Sequence, residues 1–218
     1  MFNNCNSKTN GEEKFFMDIK EKINVIFDVG SRSDSEFVNF HGEVHYFDPV
    51  NEFIVDLKNT KNLNKIAYFN NFGLGDEDKT NYYYPKYESF YDRINSCHFS
   101  DDSNKILLDI KKGYDYVINN NIKNIDFLKI DTEGYELKVL KGFGDFLKNI
   151  KIIQFEYGGT FLDNNIKLIE VKEYLEQHGF YKFSYLTNDG PKIITEFYDH
   201  YQYCNIVCIN KNCELVPF

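Results

Sequence analysis

Long apolar runs are missing from this chain: no segment approaches the roughly 20 apolar residues that a membrane-crossing helix requires. Residues 1–11 are polar and rich in Asn and Ser, without the apolar centre of a secretion signal. They are expected to form a flexible leader on a soluble, cytoplasmic protein. Paired cysteines are missing too. Cys5, Cys97, Cys204, Cys208 and Cys213 are odd in number and widely spread, and the last three lack the Cys-x-x-Cys spacing of a zinc site. Reduced thiols are the simplest reading, with Cys204 and Cys208 as small buried hydrophobes. The third absence is a basic cluster. The formal charge is −9 and pairs such as Lys111-Lys112 stand alone, so a phosphate backbone has nothing to lie along. Nucleic acid is disfavoured as a partner, whereas a neutral molecule such as a sugar is not. Tryptophan is absent as well, but 17 Tyr and 21 Phe are present.

What remains suits one α/β domain over residues 12–218. With 42% hydrophobic and 27% charged side chains, a chain of this length can enclose one substantial core. Phe15, Phe16 and Ile19 share a face of a helix expected over 12–22. Apolar strands are expected at 23–29, 43–47, 66–72, 106–110, 125–130 and 150–157. Helices are expected at 35–41, 51–57, 113–121, 133–141 and 166–178. Two closing strands, near 180–186 and 203–210, have little helix between them. This alternation implies a mostly parallel, seven-stranded sheet with helices on both faces, ended by an antiparallel edge hairpin.

Open sheets of this kind hold ligands at the carboxyl ends of their strands. Asp28 and Gly30 close the first strand in Phe27-Asp28-Val29-Gly30-Ser31-Arg32. The glycine permits close backbone approach to a ligand and Asp28 can hold a cationic amino group, although a plain turn explains both. The signature Gly-x-Gly-x-x-Gly is missing, because Ser31-Arg32-Ser33-Asp34 supplies no further glycine. Dinucleotide sites use those glycines to admit a pyrophosphate, which disfavours NAD. S-adenosylmethionine (SAM) has no phosphate to admit. Asp48, closing the second strand, can accept from both hydroxyls of a ribose or start an Asp48-Pro49 turn. Asn71, Gly73 and Leu74, after the third strand, flank an adenine or merely turn the chain.

The densest signal runs from Ile125 to Gly142. Asp131 ends a buried strand, and Glu133 follows in the turn. A carboxylate beside a hydroxyl can take its proton as the oxygen attacks a methyl group. An acid at a helix start also meets the dipole favourably, by about 0.3–1 kcal/mol. Both readings stand for Glu133. Glu156 closes the next strand on the same edge. Asp131, Glu133 and Glu156 can bind sugar hydroxyls, hold a divalent cation, or only cap and pair; no metal centre is assigned. His98 and His200 lie in irregular segments, as a base or as surface residues, while His45 is expected to be a satisfied strand residue. Tyr82, Tyr83, Tyr84, Tyr87, Phe90 and Tyr91 crowd one irregular region, as a lid that stacks on sugar faces or as a packed loop.

Four segments, in this order, resemble successive motifs of the FkbM-type methyltransferases. They are Phe-Asp-Val-Gly-Ser-Arg at 27–32, Tyr-Phe-Asp-Pro at 46–49, Gly-Leu-Gly-Asp at 73–76 and Asp-Phe-Leu-Lys-Ile-Asp-Thr-Glu-Gly-Tyr-Glu at 126–136. Leu107-Leu108-Asp109 resembles the short strand that precedes the last motif. The resemblance covers residues 23–157 and implies a Rossmann-like class I methyltransferase fold with SAM as methyl donor. On this chain Asp28, Gly30, Ser31, Asp48, Asn71, Gly73, Leu74 and Asp131 would contact SAM, and Asp131, Glu133 and Glu156 would face the acceptor. Two departures stand out: Ser31-Arg32-Ser33-Asp34 replaces the family's glycine-rich helix start, and Asp48-Pro49 replaces its Glu-Pro. The implied function is O-methylation of a sugar hydroxyl in a glycan or glycoconjugate. The partner would be a small-molecule or glycan acceptor, with no nucleic acid, no membrane insertion, and room for a homo-oligomer. The rivals are an NAD-linked sugar-modifying enzyme and a non-catalytic SAM-fold binding or assembly subunit.

Overall fold

The first strand, β1 (Val25–Val29), is pinned at its start by an acid on β7 (Ile125–Ile130). One oxygen of Asp126 accepts from the amides of Asn24 and Val25 at 2.8 and 3.0 Å; the other lies 2.7 Å from Lys151 Nζ. A buried carboxylate without such partners would be costly, so these contacts help set the β1–β7 register. The structure is a computed structural model that describes residues 2–86, 88–90 and 105–214. Tyr87, Tyr91, Cys97 and His98 lie outside the described residues.

Beside this pair stand β2 (Glu43–Phe47), β3 (Ile66–Asn70), β8 (Ile150–Tyr157), β9 (Phe180–Tyr185), β10 (Lys192–Ile193) and β11 (Cys204–Asn210), in the order β10-β9-β11-β8-β7-β1-β2-β3. The run from β3 through β1 to β8 is parallel. The expected antiparallel ending is present. Its long strand, β11, inserts between β8 and β9, and the eighth strand is the two-residue β10 at the edge. The sheet is mostly parallel, as the alternation of strands and helices implied. Cys204 and Cys208 are buried free thiols in β11.

Helices α1 (Ser7–Asn10) and α2 (Glu12–Ile19) belong to one side of the sheet. There Phe15, Phe16 and Ile19 join Phe37 over Ile26, Val44 and Phe127. The other side is covered by α4 (Gly113–Asn119), α5 (Glu136–Phe143) and α7 (Leu168–Gln177), whose Val117, Leu140 and Leu175 pack with Phe27, Leu128 and Ile153. Each such side chain contributes about 1.5–3 kcal/mol. A one-residue slip would move every side chain to the opposite layer, away from the helix it packs against, so the register is strongly specified. Alternation then aligns Asp28, Lys129 and Gln154 across the strands, with Asp131 and Glu156 one step nearer the carboxyl edge.

A second, three-stranded sheet was not foreseen. It runs β4 (Gly73–Gly75), β6 (Ile106–Lys112), β5 (Lys79–Tyr83). The strand expected at 106–110 forms here, parallel to β4 and antiparallel to β5. Gly142 lets α5 lie close against it, because a Cβ there would fall 1.9 Å from Gly75 O. Two expected helices are also shorter. Residues 35–41 give only a 3-10 turn, Glu36–Asn39, since β2 follows at once. The helix expected from 133 starts at Glu136, because Glu133 and Gly134 hold φ of 51° and 100°. The leader expected over 1–11 is tied down: the Asn3 amide donates to Tyr203 O at 2.8 Å, the Tyr203 amide donates to Asn3 Oδ1 at 2.9 Å, and Asn10 is buried. Among the described residues, no helix is long and apolar enough to cross a membrane.

Candidate active site

Neighbours of β1 and β7 lead away in opposite directions, so a crevice opens where their carboxyl ends part. A cavity of about 440 Å³ fills it, within the usual range of ligand pockets. Gly30, at φ +91°, is required by the crossing of these two strand ends: a Cβ there would fall 1.8 Å from Asp131 O. The close approach is therefore to protein backbone, although Gly30 also lines the cavity. Ser31 does not line it. Its hydroxyl donates to Asp28 O at 2.6 Å and accepts from the Phe47 amide at 3.1 Å, while its own amide donates to Phe47 O. Asp28 accepts from Ser35 Oγ at 2.7 Å. Burial pushes its carboxyl up to about 6, against the pull of Lys129. No long helix starts at this turn to receive a pyrophosphate.

Asp48 closes β2 and reaches the same cavity. Its Oδ1 accepts from the Val50 amide at 2.7 Å, so it makes the turn that the sequence allowed and lines the site as well. Burial pushes this carboxyl up to about 7, offset only in part by the Val50 bond and Arg32. Arg32 pairs with Glu88 and lies over the Phe53 ring at 4.7 Å. Asn71 stands outside the cavity and ties the turn, donating to Asp48 O and Pro49 O at 3.3 and 3.0 Å. Gly73 and Leu74 line it from the second sheet, together with Tyr83 and Phe90, whose rings meet at 5.5 Å. Of the other residues of the lid expected over 82–99, Tyr82 and Tyr84 do not line the cavity, and those at 87 and 91–99 lie outside the described residues.

The turn after β7 separates two glutamates that look equivalent in the sequence. Glu136 is buried and turns back: its Oε1 accepts from Thr132 N, Thr132 Oγ1 and Gly134 N at 2.9, 3.0 and 3.2 Å. It holds the helix entrance, and burial pushes it up to about 7 despite those donors. Glu133 precedes the helix in a left-handed conformation and lines the cavity instead. Asp131 and Glu156 are hydrogen-bonded across the β7–β8 edge. Burial pushes Asp131 up, but that bond and Lys129, with Nζ 3.5 Å from Asp131 Oδ2, hold it below the ordinary carboxylate range. Glu156 is held well above its ordinary value by burial and by Asp131 and Glu133. Asp131, Glu133 and Glu156 offer oxygens all within 4.8 Å of one another.

Several lining residues went unnoticed in the sequence. Lys129 could have been found, since it lies two residues before Asp131 and must share its strand face. Glu12 gave no local signal. It comes from α2 and accepts from Asn10 and Gln154 at 2.5 and 2.9 Å. Cys5, Ser7 and Tyr203 complete that side. His45 is satisfied in the core by Tyr116 and Glu43, each at 2.8 Å. His200 does not line the cavity; its ring packs against Phe2 and Tyr157 at 5.0 Å.

Comparisons with solved structures find distant likenesses. A putative rRNA-methylase from Clostridium thermocellum shares 10% identity over 94% of this chain and 97% of that one, with a TM-score of 0.45. The precorrin 8w decarboxylase of Methanobacterium thermoautotrophicum shares 15% over 90% and 88%, at 0.43. The N-terminal domain of human METTL16, solved with SAH, shares 13% over 87% of this chain and 62% of that one, at 0.44. No curated protein matches the sequence. The family model of the methyltransferase FkbM domain matches residues 28–181, from the end of β1 to the start of β9, and includes every strand end that lines the cavity. The chain belongs to the FkbM methyltransferase domain family.

Proposed function

We propose that this protein is a SAM-dependent O-methyltransferase that acts on a hydroxyl of a sugar in a glycan or glycoconjugate. The observation that carries the reading is the place of Asp131 at the carboxyl end of β7, with Lys129 Nζ 3.5 Å from its Oδ2 and oxygens of Glu133 and Glu156 within 4.8 Å. SAM suits the residues around it. Asp48 uses Oδ1 for its turn and keeps Oδ2 for a ribose hydroxyl, Asp28 suits the amino group, and Phe47 and Leu74 offer apolar surface to adenine. Bound there, SAM supplies a methyl group already activated on a sulfonium.

The chain contributes placement and proton removal, and placement alone can supply several kcal/mol of a barrier. Asp131 takes the acceptor's hydroxyl proton as that oxygen bonds to the methyl carbon and the carbon–sulfur bond breaks. Glu133 stands beside it to hold the acceptor, and Tyr83, Phe90 and Tyr203 give faces on which a sugar ring can lie. Methyl-labelled SAM incubated with glycosides, free glycans and nucleotide sugars tests the reading. Label should enter a sugar ether, and Asp131→Asn should lower transfer about 100-fold. Failure of SAM to bind in calorimetry at millimolar concentration would leave only a non-catalytic role.

A further inference from the structure

Among the described residues, nine of the side chains that line the cavity are carboxylic acids, and only Arg32 and Lys129 are cations. Neither cation is left over to balance the acids. Arg32 is bound to Glu88, and Lys129 lies among Glu12, Asp28, Glu36 and Asp131. The acids arrive from separate elements: Glu12 from α2, Asp28 from β1, Asp48 after β2, Asp131 and Glu133 after β7, and Glu156 from β8. The negative potential therefore belongs to the whole cavity rather than to one patch, and the enclosing walls concentrate it. Burial above all pushes the carboxyls of Asp28, Asp48, Glu12 and Glu156 up, and the neighbouring acids add to that push. The densest acids, Asp131, Glu133 and Glu156, stand at the strand end where methyl transfer is placed above.

We infer that this cavity selects its methyl donor by charge, binding the sulfonium SAM more tightly than the neutral thioether S-adenosylhomocysteine, with Glu133 and Glu12 as specificity-determining residues. The inference rests on the proposed function, because it needs SAM in this cavity. The two ligands differ by one methyl group and one positive charge, so contacts to adenine, ribose and the amino-acid end cancel in the comparison. During transfer the sulfur–methyl bond breaks, the methyl–oxygen bond forms and the hydroxyl proton passes to Asp131. The site exchanges a cation on its ligand for a proton on its own acid, and the ligand that remains has lost its attraction. Product release follows from the charge of the walls and needs no moving part.

Calorimetry on the whole chain with SAM and with S-adenosylhomocysteine, at about 50 and 500 mM NaCl, tests this. SAM should bind at least about tenfold more tightly at low salt, and the gap should narrow at high salt. Glu133→Gln should weaken SAM and leave the thioether unchanged; if that variant unfolds, Glu12→Gln serves the same purpose. Equal or tighter binding of the thioether overturns the inference while leaving the methyltransferase reading intact. A preference for SAM that neither salt nor the two variants reduce also overturns it, because shape would then be the cause. Binding of neither ligand removes the methyltransferase reading and this inference together.

Discussion

The turns after β1 and after β7 begin alike. Each carries an aspartate near the carboxyl edge and a glycine in left-handed backbone, Gly30 at φ +91° and Gly134 at φ +100°. They are held differently. Two neutral hydroxyls, Ser31 and Ser35, fasten the β1 turn to Asp28 and Phe47. One buried carboxylate, Glu136, fastens the β7 turn through three donors. The β1 turn uses one oxygen of its own Asp28, Oδ2, in that bonding. The β7 turn delegates it to Glu136, so Asp131 and Glu133 both remain on the cavity wall. Delegation to a third acid is what lets one turn present two carboxyls to a ligand.

The glycines should separate the turns most widely. Gly30→Ala would drive a Cβ to 1.8 Å from the Asp131 carbonyl, which is backbone and cannot yield. We expect a loss of more than about 4 kcal/mol, or no folded protein, in urea unfolding. At Gly134 the nearest atom is Asn164 Nδ2 at 2.5 Å, the end of a side chain that can swing away. Gly134→Ala should cost about 1–2 kcal/mol, mostly for its left-handed backbone. Equal losses would mean that the two crossings are equally rigid.

Removing the fastener comes next. Glu136→Ala strips a partner from two amides and a hydroxyl in a buried turn, for an expected loss of about 2–4 kcal/mol in the same measurement. Glu136→Gln keeps an acceptor and should cost less than half as much.

Asp28 gives a pH test of the β1 turn. Its folded value, about 6, lies above the ordinary 3.8, so the folded chain binds the proton more tightly than the unfolded one. Stability through this group therefore falls as pH rises from about 4 through 6, and the cost is complete above that window. Asp28→Asn keeps an acceptor for Ser35 and should stabilise the protein by about 1–2 kcal/mol at pH 8 and by nothing at pH 4. Thermal unfolding at the two pH values measures it; an equal gain at both would assign the effect to packing.

Much of this could be read from residue order. Buried parallel strands end where polar residues begin, and alternation carries Asp28, Asp131 and Glu156 to one edge and one face without any coordinates. The rest was set by contacts that local pattern does not encode. Gly73–Gly75 is too short to show a period, so the second sheet was invisible until β6 paired with it. Ser31 and Asn71 sit beside the site in sequence, yet their polar atoms are committed to backbone. Glu12 meets Gln154 across most of the chain. Glu133 and Glu136 could not be told apart, because the choice depends on the left-handed backbone at 133 and 134 that delays the helix.

The smallest expected change in stability is therefore at Glu133. If Glu136 alone holds the turn, Glu133→Gln should alter unfolding free energy by no more than about 0.5 kcal/mol. Gly134 keeps its donor bond to Glu136, and Ser89 keeps its bond to the Glu133 carbonyl, which the substitution does not touch. Methyl transfer should nonetheless fall at least about tenfold, since a charged group has left the cavity wall. A stability loss as large as that of Glu136→Gln would return Glu133 to the role of a helix cap and leave Asp131 as the only acid that this turn gives to the site.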